Sequence, residues 1–510
     1  MSEVVSYNRE GNIGVITVNY PPVNALGQAV RSGLLAALEQ GQKDAEAKAL
    51  LLVCEGRTFI AGADIREFGK PMQEPTLPTL VNTFENSDKP LVAAIHGTAL
   101  GGGLETALSC HYRVAVSSAK VGLPEVKLGL LPGAGGTQRL PRLTGAQKAL
   151  EMITTGEFVG AKDALALGIL DAVEEGDNIR AIGMAYAQKV VDEGKPVRRV
   201  RDITDKIEAD KGSDVFDQFR DELKKRARGL FSPFKCVDAV EAAFNLPFDE
   251  GMKRERELFM ECMESPQRAG LIHSFFGERE VSKVKGLPKD TPVRDVKSVG
   301  IIGAGTMGGG IAMNFVNVGI PVTIVEVKQE ALDKGLAIIR RNYENSAKKG
   351  KLTQEQVEQR MALITPSLTY DDFRDVDLVI EAVFENMAIK KEIFAKLDEV
   401  CKPGAILASN TSTLDIDEIA SATKRPEDVV GMHFFSPANV MKLLENVRGS
   451  KTSDEVKATV MAVAKKIKKV GVMVGNCYGF VGNRMLHKRG TEAMSLVDEG
   501  ATPQQVDKVL

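Results

Sequence analysis

The stretch VGIIGAGTMGGGIAMNFVNVGIPVTIVEV, residues 299–327, changes its hydrophobic period twice. A short apolar run ends in a glycine cluster, a helical apolar pattern follows, and a second β-rich run closes on Glu326 and Val327. Gly303, Gly305 and Gly308 form G-x-G-x-x-G. Such glycines serve a tight turn, a close approach of backbone to pyrophosphate, and close packing of helix on strand. Glu326 stands where a carboxylate accepts hydrogen bonds from the adenosine ribose and repels a 2′-phosphate, which favours NAD over NADP. A lone glycine motif is more often a packing turn. The strand before it, the apolar helix after it and the correctly spaced acid make dinucleotide binding the better reading. Residues 298–325 carry no charge and are long enough to suggest a membrane span. The glycines from Gly300 to Gly319 suit a turn and close packing better.

Strand and helix alternate beyond this unit, with candidate strands at Ser298–Ile302, Val322–Val327, Leu378–Ala382, Ile406–Ser409 and Val429–Met432. The first part of the chain alternates in the same way. Candidate strands there are Val15–Asn19, Ala49–Cys54, Leu91–Ile95 and Arg113–Val116, with helices near Gln28–Gln42 and Leu104–Cys110. Between these parts, from about Ile179 to Val284, the sequence is charged, amphipathic and helical, and reads as connecting material. The run Lys285-Gly-Leu-Pro-Lys-Asp-Thr-Pro292 ends it, because each proline restricts the residue before it.

A chain of 510 residues exceeds one hydrophobic core. Its 43% hydrophobic and 26% charged residues match a globular protein. A net charge of −3 offers no global positive field for nucleic acid or anionic membranes. The six cysteines form no C-x-x-C pair, arguing against a zinc site or a disulfide framework and for a reducing compartment. The N-terminus shows neither a secretory nor a transit pattern, and Val506–Leu510 is no S-K-L address. Cytoplasm is the default expectation, with the peroxisome as the alternative.

Three later motifs are SNTSTL (Ser409–Leu414), GMHFFSPANVMKLLE (Gly431–Glu445) and GFVGNRM (Gly479–Met485). Together, from about Lys297 onward, they resemble the 3-hydroxyacyl-CoA dehydrogenase family. The resemblance implies that His433 is the base and Glu445 its orienting partner, a pairing suited to imidazole chemistry near neutral pH. It implies that Ser412 and Asn483 hydrogen-bond the reacting oxygen. His96, in an apolar run, and His111, His273 and His487 read as structural or surface residues. The family often has proline before the Gly-Phe of its last motif, where this chain has Tyr478. Its helical C-terminal region also extends well past Asn483, so residues 476–510 read as an incomplete beginning of that region.

In the first half, NYPPVNAL (Asn19–Leu26), FIAGADIREF (Phe59–Phe68), IHGTALGGGLETAL (Ile95–Leu108) and GLPEVKLGLLPGAGGTQRLPRL (Gly122–Leu143) occur in order. They closely resemble the enoyl-CoA hydratase (crotonase) family over about residues 1–190. Adding water to a double bond conjugated with a thioester places negative charge on the thioester oxygen, which two fixed backbone N–H donors stabilise. By resemblance these donors are those of Ala63 and Gly102, and Glu105 and Glu125 are the carboxyl pair that moves the protons. Taken singly, Glu105 is more often a solvated acid in a helix's first turn and Glu125 a surface charge. Asp64 is left to loop structure and cofactor contact. The same glutamates can move a proton between C4 and C2, giving Δ3,Δ2-enoyl-CoA isomerisation, which the sequence does not establish.

The resulting expectation is an α/β chain. It has a crotonase ββα-spiral domain over residues 1–190, a helical linker over 191–296, an NAD-binding Rossmann domain over 297–475, and the start of an all-α domain over 476–510. Joined, the parts imply two steps of fatty-acid β-oxidation: hydration of trans-2-enoyl-CoA to (3S)-3-hydroxyacyl-CoA, then NAD-dependent oxidation to 3-ketoacyl-CoA. The precedent is a multifunctional enzyme, either self-contained and peroxisomal in type or a bacterial subunit partnered with thiolase. The short N-terminus and lack of insertions lean toward the former. Two rivals stand beside it: a hydratase/isomerase whose second half binds NAD but turns over poorly, and a non-catalytic module binding acyl-CoA and NAD. No metal, nucleic-acid partner or transmembrane segment is expected.

Overall fold

The computed structural model describes residues 4–67, 71 and 73–510, which form two compact units meeting in sequence at Phe275 and Phe276. Phe68, the last residue of the FIAGADIREF motif, lies outside the described residues.

The first unit is built on a six-stranded sheet ordered Val5–Glu10, Ile13–Val18, Ala49–Cys54, Leu91–Ile95, Tyr112–Val116 and Ala172–Glu174. Only the first pair is antiparallel. The run ALLLVC of the third strand is buried at every position, as expected for a parallel strand covered on both faces. A small sheet of Thr98–Leu100, Lys120–Gly122 and Val159–Gly160 stands beside it and carries the turn into the Gly102–Ser109 helix.

The helical stretch expected to connect the two halves divides. Up to Phe275 it belongs to the first unit. Phe216, Phe219 and Leu223, spaced to share one face of the Val215–Arg226 helix, are buried in the first core, as are Cys236 and Val237 of the next helix and Leu258 and Cys262 of Phe248–Glu264. A charged sequence with such a face is amphipathic cover for a core rather than free tether. Gln138 Nε2 donates to the Ala239 carbonyl at 2.8 Å, tying the Gly136–Thr144 helix to this layer.

The second unit carries an eight-stranded sheet ordered Ile364–Ser367, Val322–Val325, Val299–Ile302, Leu378–Glu381, Ile406–Ser409, Val429–Phe434, Leu443–Arg448 and Val470–Gly475. The first six strands are mutually parallel, and the seventh runs antiparallel to the sixth. The chain steps outward from Val299–Ile302 on one side, then crosses back to its other side, so the sheet's switch point lies at the end of that strand, where the glycine turn sits. The strand beginning at Val429 reaches Phe434, placing His433 within it. His96 falls just after the strand Leu91–Ile95, its Nε2 3.0 Å from the Gly56 carbonyl oxygen. Among the described residues no helix is long and apolar enough to cross a membrane.

One buried ion pair locks the second unit's sheet to a helix. Lys390 Nζ donates to both oxygens of Glu381, at 2.7 and 2.8 Å, and both side chains are fully enclosed. Ser409 Oγ donates to Glu381 Oε2 at 2.7 Å. Lys390→Met strands a buried carboxylate and is expected to cost about 3–5 kcal/mol. Urea unfolding followed by intrinsic fluorescence of the second unit's tyrosines checks this, and a loss below about 1 kcal/mol contradicts it.

Candidate active sites

In the first unit, glycine backbone lets two carboxyl groups close on one another. Glu105 sits in the first turn of the Gly102–Ser109 helix and Glu125 opens the short helical turn Glu125–Leu128. Glu105 is buried, and its Oε1 accepts from the N–H groups of Ala134 at 2.8 Å and Gly136 at 2.9 Å. The Oε2 of Glu125 is enclosed and meets no hydrogen-bond partner among the described residues. Neither is the solvated surface acid that each would more often be alone. Gly101, at φ +53°, makes the approach possible: a methyl group there would lie 2.7 Å from Glu125 Oε1.

Burial raises the Glu105 carboxyl, against the two N–H bonds and the Arg139 charge. Burial, then the charge of Glu105, pushes Glu125 well above the usual carboxylate range. Such a pair titrates as a unit. Glu105, gripped by N–H donors, is the better holder of the negative charge, and Glu125, with a bare oxygen, the better holder of the proton.

The N–H groups of Ala63 and Gly102 flank the same place. A methyl on Gly102 would stand 3.4 Å from the Ala63 nitrogen. Neither N–H donates in a turn, loop or cap bond among the described residues. The Gly102 N–H opens a helix, where it is unpaired by geometry and favoured toward negative charge. Two free donors beside a carboxyl pair can stabilise an oxyanion while protons move nearby. Asp64, left aside in the sequence, pairs with Arg66 at 2.7 Å.

In the second unit, strand register makes the pair. His433 and Glu445 lie opposite one another on antiparallel strands, and the His433 Nδ1 to Glu445 Oε2 distance is 2.8 Å. Glu445 Oε1 accepts from the N–H groups of Gly482 at 2.7 Å and Val481 at 3.2 Å. Burial raises the Glu445 carboxyl, but the His433 hydrogen bond and the Gly482 N–H outweigh it and hold it below its ordinary value. The imidazole stacks obliquely on Phe435, with ring centroids 4.4 Å apart. Its orientation is thus fixed by a carboxylate on one edge and an aromatic face.

Ser412 and Asn483 are brought together: Asn483 Nδ2 donates to the Ser412 carbonyl at 3.4 Å. Ser412 Oγ donates to Glu385 Oε1 at 3.0 Å. With its proton on that carboxylate, the Ser412 hydroxyl still has a lone pair to offer a reacting hydroxyl. Glu385 was not singled out in the sequence. Its Oε1 also accepts from Thr411 Oγ1 at 2.7 Å and the Ser412 N–H at 2.8 Å, and it gathers the SNTSTL turn. Asn410 was missed too; its Oδ1 accepts from the Phe434 N–H at 2.8 Å, binding that turn to the strand of His433. The only available signal was the density of Ser, Thr and Asn, which names a turn without naming its partner.

The glycine turn fits a dinucleotide. Gly303 has φ +99°, and a methyl on Gly308 would lie 1.9 Å from the Gly303 carbonyl oxygen, so only glycine allows this helix so close to the turn. A methyl on Gly305 would meet nothing within 4 Å, which leaves the start of the Thr306–Val316 helix open to a phosphate group. Glu326 lies across the turn, its Oε2 accepting from the Ala304 N–H at 3.0 Å.

The bare oxygen of Glu125 makes an observable prediction. An infrared pH titration is expected to show a protonated carboxyl band that persists well above the pH at which an ordinary glutamate ionises and disappears in Glu125→Gln. A Glu125-dependent band lost by about pH 4.3, the ordinary glutamate value, contradicts the geometry.

Residues 8–228 match the family described as enoyl-CoA hydratase/isomerase. Residues 298–477 match the NAD binding domain of 3-hydroxyacyl-CoA dehydrogenase, and residues 479–510 its C-terminal domain. The chain is 47% identical over 507 residues to a protein of Danio rerio named peroxisomal bifunctional enzyme, covering 98% of this chain and 69% of the relative. The human protein of that name is 43% identical over 514 residues, covering 99% of this chain and 70% of the relative. A peroxisomal fatty acid beta-oxidation multifunctional protein of Arabidopsis thaliana is 40% identical, covering 98% of this chain and 70% of the relative. With NAD as the cofactor of its second unit, the chain belongs to the bifunctional enzyme family that joins an enoyl-CoA hydratase to a 3-hydroxyacyl-CoA dehydrogenase.

Proposed function

We propose that the first unit hydrates trans-2-enoyl-CoA to (3S)-3-hydroxyacyl-CoA and that the second oxidises this product to 3-ketoacyl-CoA, successive steps of fatty-acid β-oxidation. The observation that carries the first step is the unequal environment of two adjoining carboxyls. Glu105, held by two N–H donors, takes a proton from water as its oxygen bonds to C3. Glu125 delivers its proton to C2. The N–H groups of Ala63 and Gly102 hold the charge that develops on the thioester oxygen. Proton exchange between the two carboxyls and water restores the starting state.

In the second step His433 takes the 3-hydroxyl proton at Nε2, the ring nitrogen left free by the Nδ1 contact with Glu445. Glu445 keeps the tautomer and stabilises the imidazolium that results. NAD+, when bound, supplies the acceptor for the hydride leaving C3. Gly303, Gly305 and Gly308 would hold its pyrophosphate and Glu326 its adenosine ribose. Ser412 and Asn483 align the reacting oxygen. The division of residues into functional domains follows the same lines, with the helical stretch before Phe275 assigned to the hydratase.

The names of the relatives support a peroxisomal location. Crotonyl-CoA followed by the loss of its enoyl absorbance, with NADH growth after addition of NAD+, tests the pair of activities. Glu125→Gln is expected to lower hydration by about 10²–10⁴-fold and leave oxidation of 3-hydroxybutyryl-CoA intact, and His433→Ala to do the reverse. A single substitution that removes both activities contradicts two separate sites.

A further inference from the structure

A third carboxyl reaches the hydratase site from outside the region that matches the hydratase family. Glu255 lies on the Phe248–Glu264 helix, beyond the match that ends at residue 228. It is 1% exposed. Its Oε1 accepts from the Gly135 N–H at 2.7 Å, and its Oε2 accepts from the Thr137 N–H at 3.1 Å and from the Thr137 hydroxyl.

Glu105 uses the other N–H groups of the same four residues. The consecutive N–H groups of 134, 135, 136 and 137 donate in turn to Glu105, Glu255, Glu105 and Glu255. The segment is held by two carboxyls on alternate N–H groups, with Gly135 at φ +95° permitting the alternation. The clamp on the Glu255 side fixes which way the Ala134 and Gly136 N–H groups point, and therefore where Glu105 is held. We infer that Glu255 is a positioning residue of the hydration step, and that the Phe248–Glu264 helix completes the hydratase site by aiming the N–H groups that hold Glu105.

Other charges near the clamp agree with this role. Arg139 pairs with Glu85 at 2.6 Å in the interior rather than with Glu255. Burial first, then the Glu105 charge, pushes the Glu255 carboxyl up to about 8, so near neutral pH it is mostly neutral and holds the segment without adding a charge beside Glu105. A neutral amide keeps one of the two accepting oxygens and can therefore reproduce part of its function, whereas a methyl group keeps none.

The inference rests on the hydratase reading, and the test separates the two. The full chain is assayed for crotonyl-CoA hydration as the parent, Glu255→Ala and Glu255→Gln, with oxidation of 3-hydroxybutyryl-CoA measured on each sample. Failure of the parent to hydrate sinks the hydratase reading itself. With an active parent, Glu255→Ala is expected to lower kcat by roughly 10–100-fold, because a displaced Glu105 misplaces the attacking water, while KM stays within about threefold. Glu255→Gln is expected to recover part of that kcat, because it keeps one accepting oxygen. Equal falls in kcat for both variants, a loss confined to KM, or a kcat within about threefold of the parent for Glu255→Ala each overturns the inference. If Glu255→Ala does not yield folded protein, Glu255→Gln and Thr137→Val decide. Thr137→Val keeps the N–H and loses the hydroxyl's bonds with Glu255 and Gln138, and it should lower kcat by a few fold with KM held. An unchanged kcat in both of these variants overturns the inference.

Discussion

The backbone N–H left unpaired where a helix begins is the constraint on which both halves of this chain rest. At the start of the Gly136–Thr144 helix, the N–H groups of Ala134 and Gly136 grip Glu105. At the start of the Gly482–Asp498 helix, those of Val481 and Gly482 grip Glu445. At the glycine turn the Ala304 N–H takes Glu326, and the opening of the next helix is left for phosphate. A helix N-terminus offers fixed donors that need no side chain to hold them in place. Each proposed site therefore fixes a carboxylate by main chain, and tertiary packing fixes the main chain.

The same device gives opposite electrostatic results because the surroundings differ. Glu445 meets two N–H donors and an imidazole, and these outweigh burial, so it stays a carboxylate beside His433. Glu105 meets two N–H donors but sits deeper and shares its space with Glu125, so burial wins and both carboxyls rise. One arrangement suits a group that must remain charged to stabilise an imidazolium; the other suits a pair that must exchange a proton.

Much of this was legible in the sequence wherever spacing along the chain equals a structural relation. G-x-G-x-x-G names the turn because its glycines are local to it, and His433 and Glu445 share a motif because an antiparallel pair of strands joined by a short connection places them opposite each other. The strands that were expected lie within one or two residues of their places, since buried parallel strands read as unbroken apolar runs, whereas edge and antiparallel strands such as Ile364–Ser367, Leu443–Arg448 and Val470–Gly475 were missed. What could not be read was long-range. Glu385 meets Ser412 across 27 positions, and Glu255 reaches Gly135 across 120. Nothing in a charged helix such as DEGMKRERELFMECME says that one of its glutamates turns inward, which is why residues before Phe275 read as connecting material while their apolar faces in fact cover the first core.

The central claim is that two separate sites act in sequence, the second on the product of the first. Mixing the Glu125→Gln and His433→Ala chains with crotonyl-CoA and NAD+ tests it most directly. The account predicts that neither chain alone forms NADH at the parent's rate and that the mixture does so after a lag, as hydroxyacyl-CoA made by one chain is oxidised by the other. A mixture no more active than either chain alone would contradict it.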